Sequence, residues 1–120
     1  MPQYIKYSPE YILHRSGITA ADSTFTSYDH GVNTSYYKKA NIQVVPSGGA
    51  NPTVNVMWWC ESASKFINEH VAIEKAGIGA NTPFEFTVDC LRRTMFVAVS
   101  AISTGSVDIL VSGADLAHPE

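Results

Sequence analysis

The chain has 120 residues, the size of one domain, and carries a net charge of −3 with only eight lysines and arginines. This balance excludes the broad basic surface that nucleic-acid binding needs, and 45% hydrophobic residues exclude a wholly disordered chain. No apolar run is long enough to span a membrane, and the N-terminus has no basic region followed by an apolar run. We therefore expect a protein that is made in a cytoplasm and has neither nucleic acid nor membrane as its partner.

Residues 1–39 are rich in tyrosine and hydroxyl side chains and show weak periodicity. Tyrosines recur at irregular spacing at Tyr4, Tyr7 and Tyr11, and Pro9 breaks any helix or central strand that runs through it. Two interpretations of this segment stay open. It can supply edge strands to the main domain, or it can form an extended arm that becomes ordered on a neighbouring subunit.

Two short strands are possible near the end of this segment. Hydroxyl and aromatic side chains alternate over 23–28, which permits one strand. Gly31 then marks a turn, and residues 32–37 permit a second strand.

Residues 40–115 show the period-two pattern of strands that bury one face. The segments are 42–44, 53–58, 84–88, 96–101 and 107–111. Their apolar positions predict a core of Val54, Val56, Trp58, Phe84, Phe86, Val97, Val99, Val107 and Ile109. We predict an all-β, antiparallel β-sandwich of jelly-roll-like type over 40–115. The arm and edge strands of 1–39 precede it, and a short polar tail over 116–120 follows it.

Two local features extend this prediction. Segments 96–101 and 106–111 flank a short turn that contains Gly105, which predicts an antiparallel hairpin. Over 62–75, a helix that begins at Ser62 competes with a pair of short strands. We favour the strands, because the flanking segments are strands and consecutive strands usually pair.

The sequence shows no catalytic or metal-binding pattern. Its histidines, His14, His30, His70 and His118, stand at no recognisable ligand spacing. Cys60 and Cys90 both end predicted strands, and in a reducing compartment free buried thiols are expected more often than a disulfide. The glycine-rich stretches lack the GK[ST] sequence of a phosphate loop. We predict that the protein is not an enzyme and holds no cofactor or metal.

The adjacent pair Trp58 and Trp59 is the most informative feature for binding. Neighbouring side chains of a strand face opposite ways, so Trp58 is predicted to be buried and Trp59 to face outward. An outward tryptophan can anchor a partner surface or stack on a sugar ring. Alternatively, the N-terminal segment covers Trp59, through Tyr36 or Tyr37.

The series of strands resembles β-sandwich domains in virion proteins of tailed bacteriophages, and capsid decoration (cement) proteins in particular. The stretches that carry this resemblance are 41–45, 56–59, 66–67, 80–88, 95–99 and 105–113. They form a rhythm of strands across about two thirds of the chain and contain no signature motif.

The resemblance implies a structural protein on the outer surface of the virion. Such a protein is made in the host cytoplasm, binds the major capsid protein of the assembled capsid and bridges neighbouring subunits, often as a dimer or trimer. On this hypothesis the arm contacts are Tyr4, Ile5, Tyr7, Tyr11 and Ile12, and the outer-face contacts are Tyr36, Tyr37 and Trp59. The alternative is a carbohydrate-binding or adhesin module of a phage fibre, in which Trp59, Tyr36 and Tyr37 stack on sugar rings.

Overall fold

The computed structural model describes residues 11–90 and 93–116, with side chains up to Gly113. These residues form nine strands and one short 3-10 turn at Tyr28–His30. The strands are β1 (Ile12–Ile18), β2 (Val32–Asn33), β3 (Tyr37–Ser47), β4 (Thr53–Cys60), β5 (Lys65–Ile67), β6 (Ile73–Ala76), β7 (Phe84–Asp89), β8 (Thr94–Ala101) and β9 (Ser106–Leu116).

Two antiparallel sheets pack face to face. The first sheet has the strand order β1-β9-β3-β7. The second sheet has the order β2-β8-β4-β5. β6 also pairs with β4, along its first half, whereas β5 pairs along its second half. This architecture confirms the predicted all-β antiparallel sandwich, while its jelly-roll character stays a prediction.

The main core lies between the two sheets. Alternate residues of β3, such as Ile42 and Val44, face inward and are fully buried, as expected for a strand with one buried face. Seven of the predicted core residues are fully buried: Val54, Val56, Trp58, Val97, Val99, Val107 and Ile109. Phe84 and Phe86 pack against this core but are only half-buried, because β7 is the last strand of its sheet.

A second apolar cluster lies on the outer face of the second sheet. Its buried members are Met57, Phe66, Phe96 and Ala98. Residues 19–31, which we call the covering segment, contribute Phe25 to this cluster, and Trp59 packs at its side. The cluster explains the nearly continuous apolar run of β8, since a strand that is buried on both faces has no polar alternation.

Residues 23–28 do not form the strand that their alternation permits. The backbone of the covering segment bonds to neighbouring strands at single points and not along a ladder. The Phe66 N–H donates to the Phe25 carbonyl at 2.8 Å, and the Asp22 N–H donates to the Val99 carbonyl at 2.8 Å. Residues 32–37 form only the two-residue strand β2 and the beginning of β3.

The predicted hairpin of 96–101 and 106–111 is wrong, because β8 and β9 belong to different sheets. β8 pairs with β2 and β4, whereas β9 pairs with β1 and β3. The connection crosses between the sheets at Gly105, whose φ is +72°. A Cβ on this glycine would lie 2.2 Å from the Ser47 carbonyl oxygen, so the turn packs directly on the β3–β4 turn.

The pair of short strands predicted over 62–75 is confirmed by β5 and β6. Both pair with β4, β6 with its first half and β5 with its second half, and not with each other as in a meander. The first part of the chain supplies edge strands to both sheets, since β1 ends the first sheet and β2 ends the second. The arm residues Tyr4, Ile5 and Tyr7 lie outside the described residues, as does the tail beyond Leu116.

Candidate interaction surfaces

Edge strand β1 exposes two adjacent apolar side chains. β1 is the terminal strand of its sheet, and within the described part of the chain it pairs only with β9. Ile12 is 64% exposed and Leu13 is 54% exposed. The two side chains face opposite sides of the strand, so each lies at the rim of one face of an open edge that another strand can extend.

Tyr11 directly precedes β1, and its side chain contacts residues of β3 and β7. Its hydroxyl donates a hydrogen bond to the side-chain oxygen of Asn41 and lies 3.4 Å from a carboxylate oxygen of Glu85. Partial burial and the nearby charge of Glu85 raise the pKa of Tyr11. Of the two predicted arm contacts that the structure describes, Tyr11 is therefore engaged by β3 and β7, and Ile12 is exposed.

A bulge in β1 turns two neighbouring side chains towards the second sheet. β1 has one residue more than β9 between Leu13 and Arg15, so His14 is the extra residue. As a result, His14 and Arg15 both reach Phe96 of β8. The imidazole meets the Phe96 ring edge-on with 6.1 Å between centroids, and the guanidinium carbon lies 4.7 Å from the ring centroid.

Three side chains cover the part of the β8 edge that β2 does not reach. The Val97 N–H donates to His14 Nε2 at 3.4 Å, and the Val97 carbonyl accepts from Arg15 at 3.1 Å. The Val99 N–H donates to the Asp22 carboxylate at 2.7 Å. Arg15 and Asp22 also form two hydrogen bonds of 2.6 Å with each other. We call His14, Arg15 and Asp22 the edge clamp.

The edge clamp holds its histidine in the neutral form. Burial, together with the neighbouring charge of Arg15, lowers the pKa of His14 to about 4 against the opposing effect of Asp22. A neutral imidazole is also what the geometry requires, because only an unprotonated Nε2 can accept the Val97 N–H.

Trp59 lies at the side of the second apolar cluster and is half-buried. Its ring meets Tyr28 at 80° and Phe66 at 75°, with centroids 5.2 and 5.1 Å apart. The indole N–H donates to Glu61 at 2.9 Å. The N-terminal part of the chain does contact Trp59, and the tyrosine that makes this contact is Tyr28 of the covering segment.

An open cleft of about 460 Å³ lies beside Trp59. Polar and aromatic residues line it together: Tyr28, Asn33, Ser35, Trp59, Cys60, Glu61, Ser62, Arg93 and Thr94. Arg93 donates to the Trp59 carbonyl at 3.1 Å, and Thr94 donates to the Tyr28 hydroxyl at 2.8 Å. The cleft therefore combines two aromatic rings with a guanidinium and a carboxylate.

The three residues predicted to share one outer face are not brought together. Trp59 belongs to the second sheet, whereas Tyr37 begins β3 of the first sheet and lies against Gly113 of β9. Tyr36 is 67% exposed in the turn before β3. Sequence reasoning missed Leu13 as an exposed apolar group. It also missed Tyr28 and the edge clamp, because both depend on contacts between distant segments.

The potential metal-ligating side chains of the described residues are dispersed. Among them, no group of three or more His, Cys, Asp and Glu side chains is placed to hold a metal ion. Cys60 and Cys90 are free thiols, and burial raises the pKa of Cys90, which makes its thiol less reactive near neutral pH. In residues 11–90 and 93–116 there is no helix with the length and hydropathy of a membrane span.

No family of known proteins matches the sequence, and comparisons with curated proteins and with solved structures found no significant match.

Proposed function

We propose that the protein is a structural virion protein that binds the outer surface of the assembled capsid through edge strand β1 and the segment that leads into it. The observation that carries this proposal is the exposure of Ile12 and Leu13 on an open strand edge. An extended segment of the major capsid protein that paired with this edge would satisfy its backbone groups and contact Ile12 on one face of the sheet and Leu13 on the other.

The contrast between two neighbouring edges supports this choice. Proteins usually protect an open strand edge with charged side chains, bulges or a covering loop. The β8 edge is protected in this way by the edge clamp. β1 carries the bulge that forms this clamp, but its own N-terminal half presents the apolar pair Ile12 and Leu13.

The physical setting of a capsid fits a small contact of this kind. A protein that binds only the assembled lattice stabilises that lattice by mass action. If the protein is a dimer or trimer, as we propose, two or three weak contacts act together and raise the effective affinity. The low charged fraction of 16% suits a surface that packs on another protein.

The first test replaces the apolar pair and measures capsid binding. The variant Ile12→Glu/Leu13→Glu should bind capsids of the encoding phage at least about tenfold more weakly in co-sedimentation, since it places two charges in an apolar contact. The matched control is Val71→Glu/Ile78→Glu, which changes side chains that are 78% and 70% exposed outside β1. Equal losses in both variants, or saturation of capsids by the β1 variant, would rule out docking through β1.

A second test separates the edge from the preceding segment. Deletion of residues 1–10 removes Tyr4, Ile5 and Tyr7 and leaves β1 intact. We expect weaker capsid binding with an unchanged circular dichroism spectrum. Full binding after this deletion would remove these three residues from the contact and leave β1 as the only candidate.

The proposed dimer or trimer is tested by light scattering, which measures the molar mass of the purified protein.

The second candidate function is carbohydrate binding in a phage fibre, at the cleft beside Trp59. Two aromatic rings next to Glu61 and Arg93 are the groups that can stack on a sugar and bond its hydroxyls. It ranks second because Trp59 and Tyr28 meet at 80°, so they form a corner and not a flat stacking platform. Retention on host polysaccharide that Tyr28→Ala abolishes would favour this function, and absence of retention would exclude it.

A further inference from the structure

The edge clamp links the proposed docking strand to the second sheet. β1 pairs with β9 in the first sheet, yet its bulge residue His14 and the next residue Arg15 reach across to β8. Two sheets that are otherwise joined by core packing are thus fastened along one side by polar side chains. Loss of the contacts that His14 and Arg15 make with β8 would leave β1 held by its pairing with β9.

His14 is the member of the clamp that ordinary changes of pH can switch. Its Nε2 accepts the Val97 N–H, so a proton on Nε2 would turn two donors towards each other. The charged groups that act on the ring are Arg15 on the same strand and Asp22 in the covering segment. From β8 it meets the uncharged Phe96 ring, and Asp108 of β9 bonds the N–H of Gly17.

The other members of the clamp offset the charge of a protonated His14 only in part, because Asp22 favours this charge and Arg15 opposes it. Asp22 already accepts two hydrogen bonds from Arg15 and one from the Val99 N–H. Its charge is therefore balanced by a guanidinium that lies next to His14 in sequence. A second positive charge at His14 would be partly buried and adjacent to Arg15, an arrangement that is relieved only when the ring leaves its site.

We propose that His14 is a pH-sensitive latch on β1, which fastens the docking strand to β8 when the imidazole is neutral and releases it when the imidazole is protonated. The release lets β1 and the start of the covering segment separate from Val97 and Val99. Weaker capsid binding in mild acid then follows, and this last step alone rests on the proposed function.

The pH dependence of the ratio of open to closed clamp follows from the pKa of His14 in the two forms. The ring titrates with a pKa of about 4 in the closed clamp and near its ordinary value of 6.5 once it is released. Between pH 7.5 and pH 5 the ratio of open to closed clamp should therefore rise roughly 30-fold. The direction is fixed: acid opens the latch, because the open form binds the proton more tightly.

The test measures the free protein by hydrogen exchange, without any capsid. Protection of the Val97 and Val99 amides, corrected for the intrinsic pH dependence of exchange, should fall roughly 30-fold between pH 7.5 and pH 5. In His14→Gln the amide oxygen can still accept the Val97 N–H but does not titrate, so protection should change by less than about threefold. The control His70→Gln changes an exposed histidine and should behave like the original protein.

A direct titration keeps the proposal testable if His14→Gln folds poorly. The nuclear magnetic resonance signal of His14 in the unaltered protein should titrate well below pH 6. Titration near 6.5, or equal pH dependence of Val97 protection in the original protein and His14→Gln, would overturn the latch. If the latch holds but capsid binding is equal at pH 7.5 and pH 5, the failure lies with β1 as the docking strand and not with His14.

Discussion

Tyr37 lies directly against the backbone of β9 at Gly113. A Cβ at this position would lie 2.4 Å from three carbons of the Tyr37 ring, which is far inside van der Waals contact. We expect Gly113→Ala to destabilise the protein by about 1–3 kcal/mol, because the ring must move or the strand must bend. Urea unfolding measures this loss.

A double-mutant cycle identifies the cause of that loss. If the clash with the ring is responsible, Gly113→Ala should cost much less in a Tyr37→Ala background than in the original protein. Equal costs in both backgrounds would place the effect in the backbone of β9.

Two phenylalanines test the boundary of the packed interior. Phe66 is 2% exposed in the second cluster, and we expect Phe66→Ala to cost about 3–5 kcal/mol. Phe86 is half-buried on edge strand β7, so Phe86→Ala should cost clearly less than this range, because water already reaches part of the ring. Chemical denaturation measures the unfolding free energy that each variant loses. A larger loss for Phe86→Ala than for Phe66→Ala would contradict the placement of Phe66 inside the core and of Phe86 at its boundary.

Residue-level patterns in the sequence predicted burial well where one strand packs on one core. Period two correctly placed Val54, Val56 and Trp58 inward, and the same rule placed Trp59 on the other face. It could not show that this other face is itself covered, since Phe25 and Tyr28 come from a segment without strand periodicity. Of the two alternatives for Trp59, contact with the N-terminal part of the chain is the one observed, but the tyrosine that packs on it is Tyr28 and not the predicted Tyr36 or Tyr37.

At the scale of elements, the edge clamp depends on an ion pair with little exposure. The Arg15 and Asp22 side chains are 20% and 15% exposed, and Asp22 also accepts the Val99 N–H. Removal of either partner leaves the other without its counter-charge, so we expect Asp22→Ala to cost about 3 kcal/mol.

The exposed pair Lys39–Asp89 is the matched control, with side chains 49% and 80% exposed at a distance of 3.3 Å. A double-mutant cycle on this pair should give no more than about 1 kcal/mol, since water screens it. A larger coupling between Lys39 and Asp89 than between Arg15 and Asp22 would show that the clamp is not the stronger contact.

Element order was the weakest part of what the sequence could predict. The two segments at the C-terminal end of the domain have the lengths, alternation and intervening glycine of a hairpin, but the same features fit a connection that crosses between sheets. The choice depends on what the outer face of β8 meets. That face packs under the covering segment, which places β8 in the second sheet, and no local signal in residues 94–116 carries this information.

For the whole molecule, the buried histidine makes stability depend on pH. Because the folded state holds the pKa of His14 near 4, below its ordinary 6.5, the unfolded chain binds the proton more tightly between these values. Stability is therefore unaffected by His14 above about pH 6.5 and falls as the pH drops towards 4. At pH 4.5 this loss should be about 2–3 kcal/mol.

Urea unfolding of the original protein and of His14→Gln at pH 7.5 and 4.5 isolates this contribution from that of the carboxylates. The difference in unfolding free energy between the two proteins should shift in favour of His14→Gln at the lower pH. A constant difference across the two pH values would mean that His14 is not neutral in the folded protein.

The place of β9 in the first sheet governs when this sheet can form during synthesis. β9 is the last described strand along the chain, yet it lies between β1 and β3 and pairs with both. While residues 106–116 are still inside the ribosome, β1 lacks its partner among the described strands and β3 can pair only with β7 of these strands. The first sheet must therefore assemble late, from strands far apart in sequence, and such topologies fold slowly. During this interval the nascent chain exposes two incomplete strand edges, which makes early protection by a chaperone an advantage to the cell that produces it.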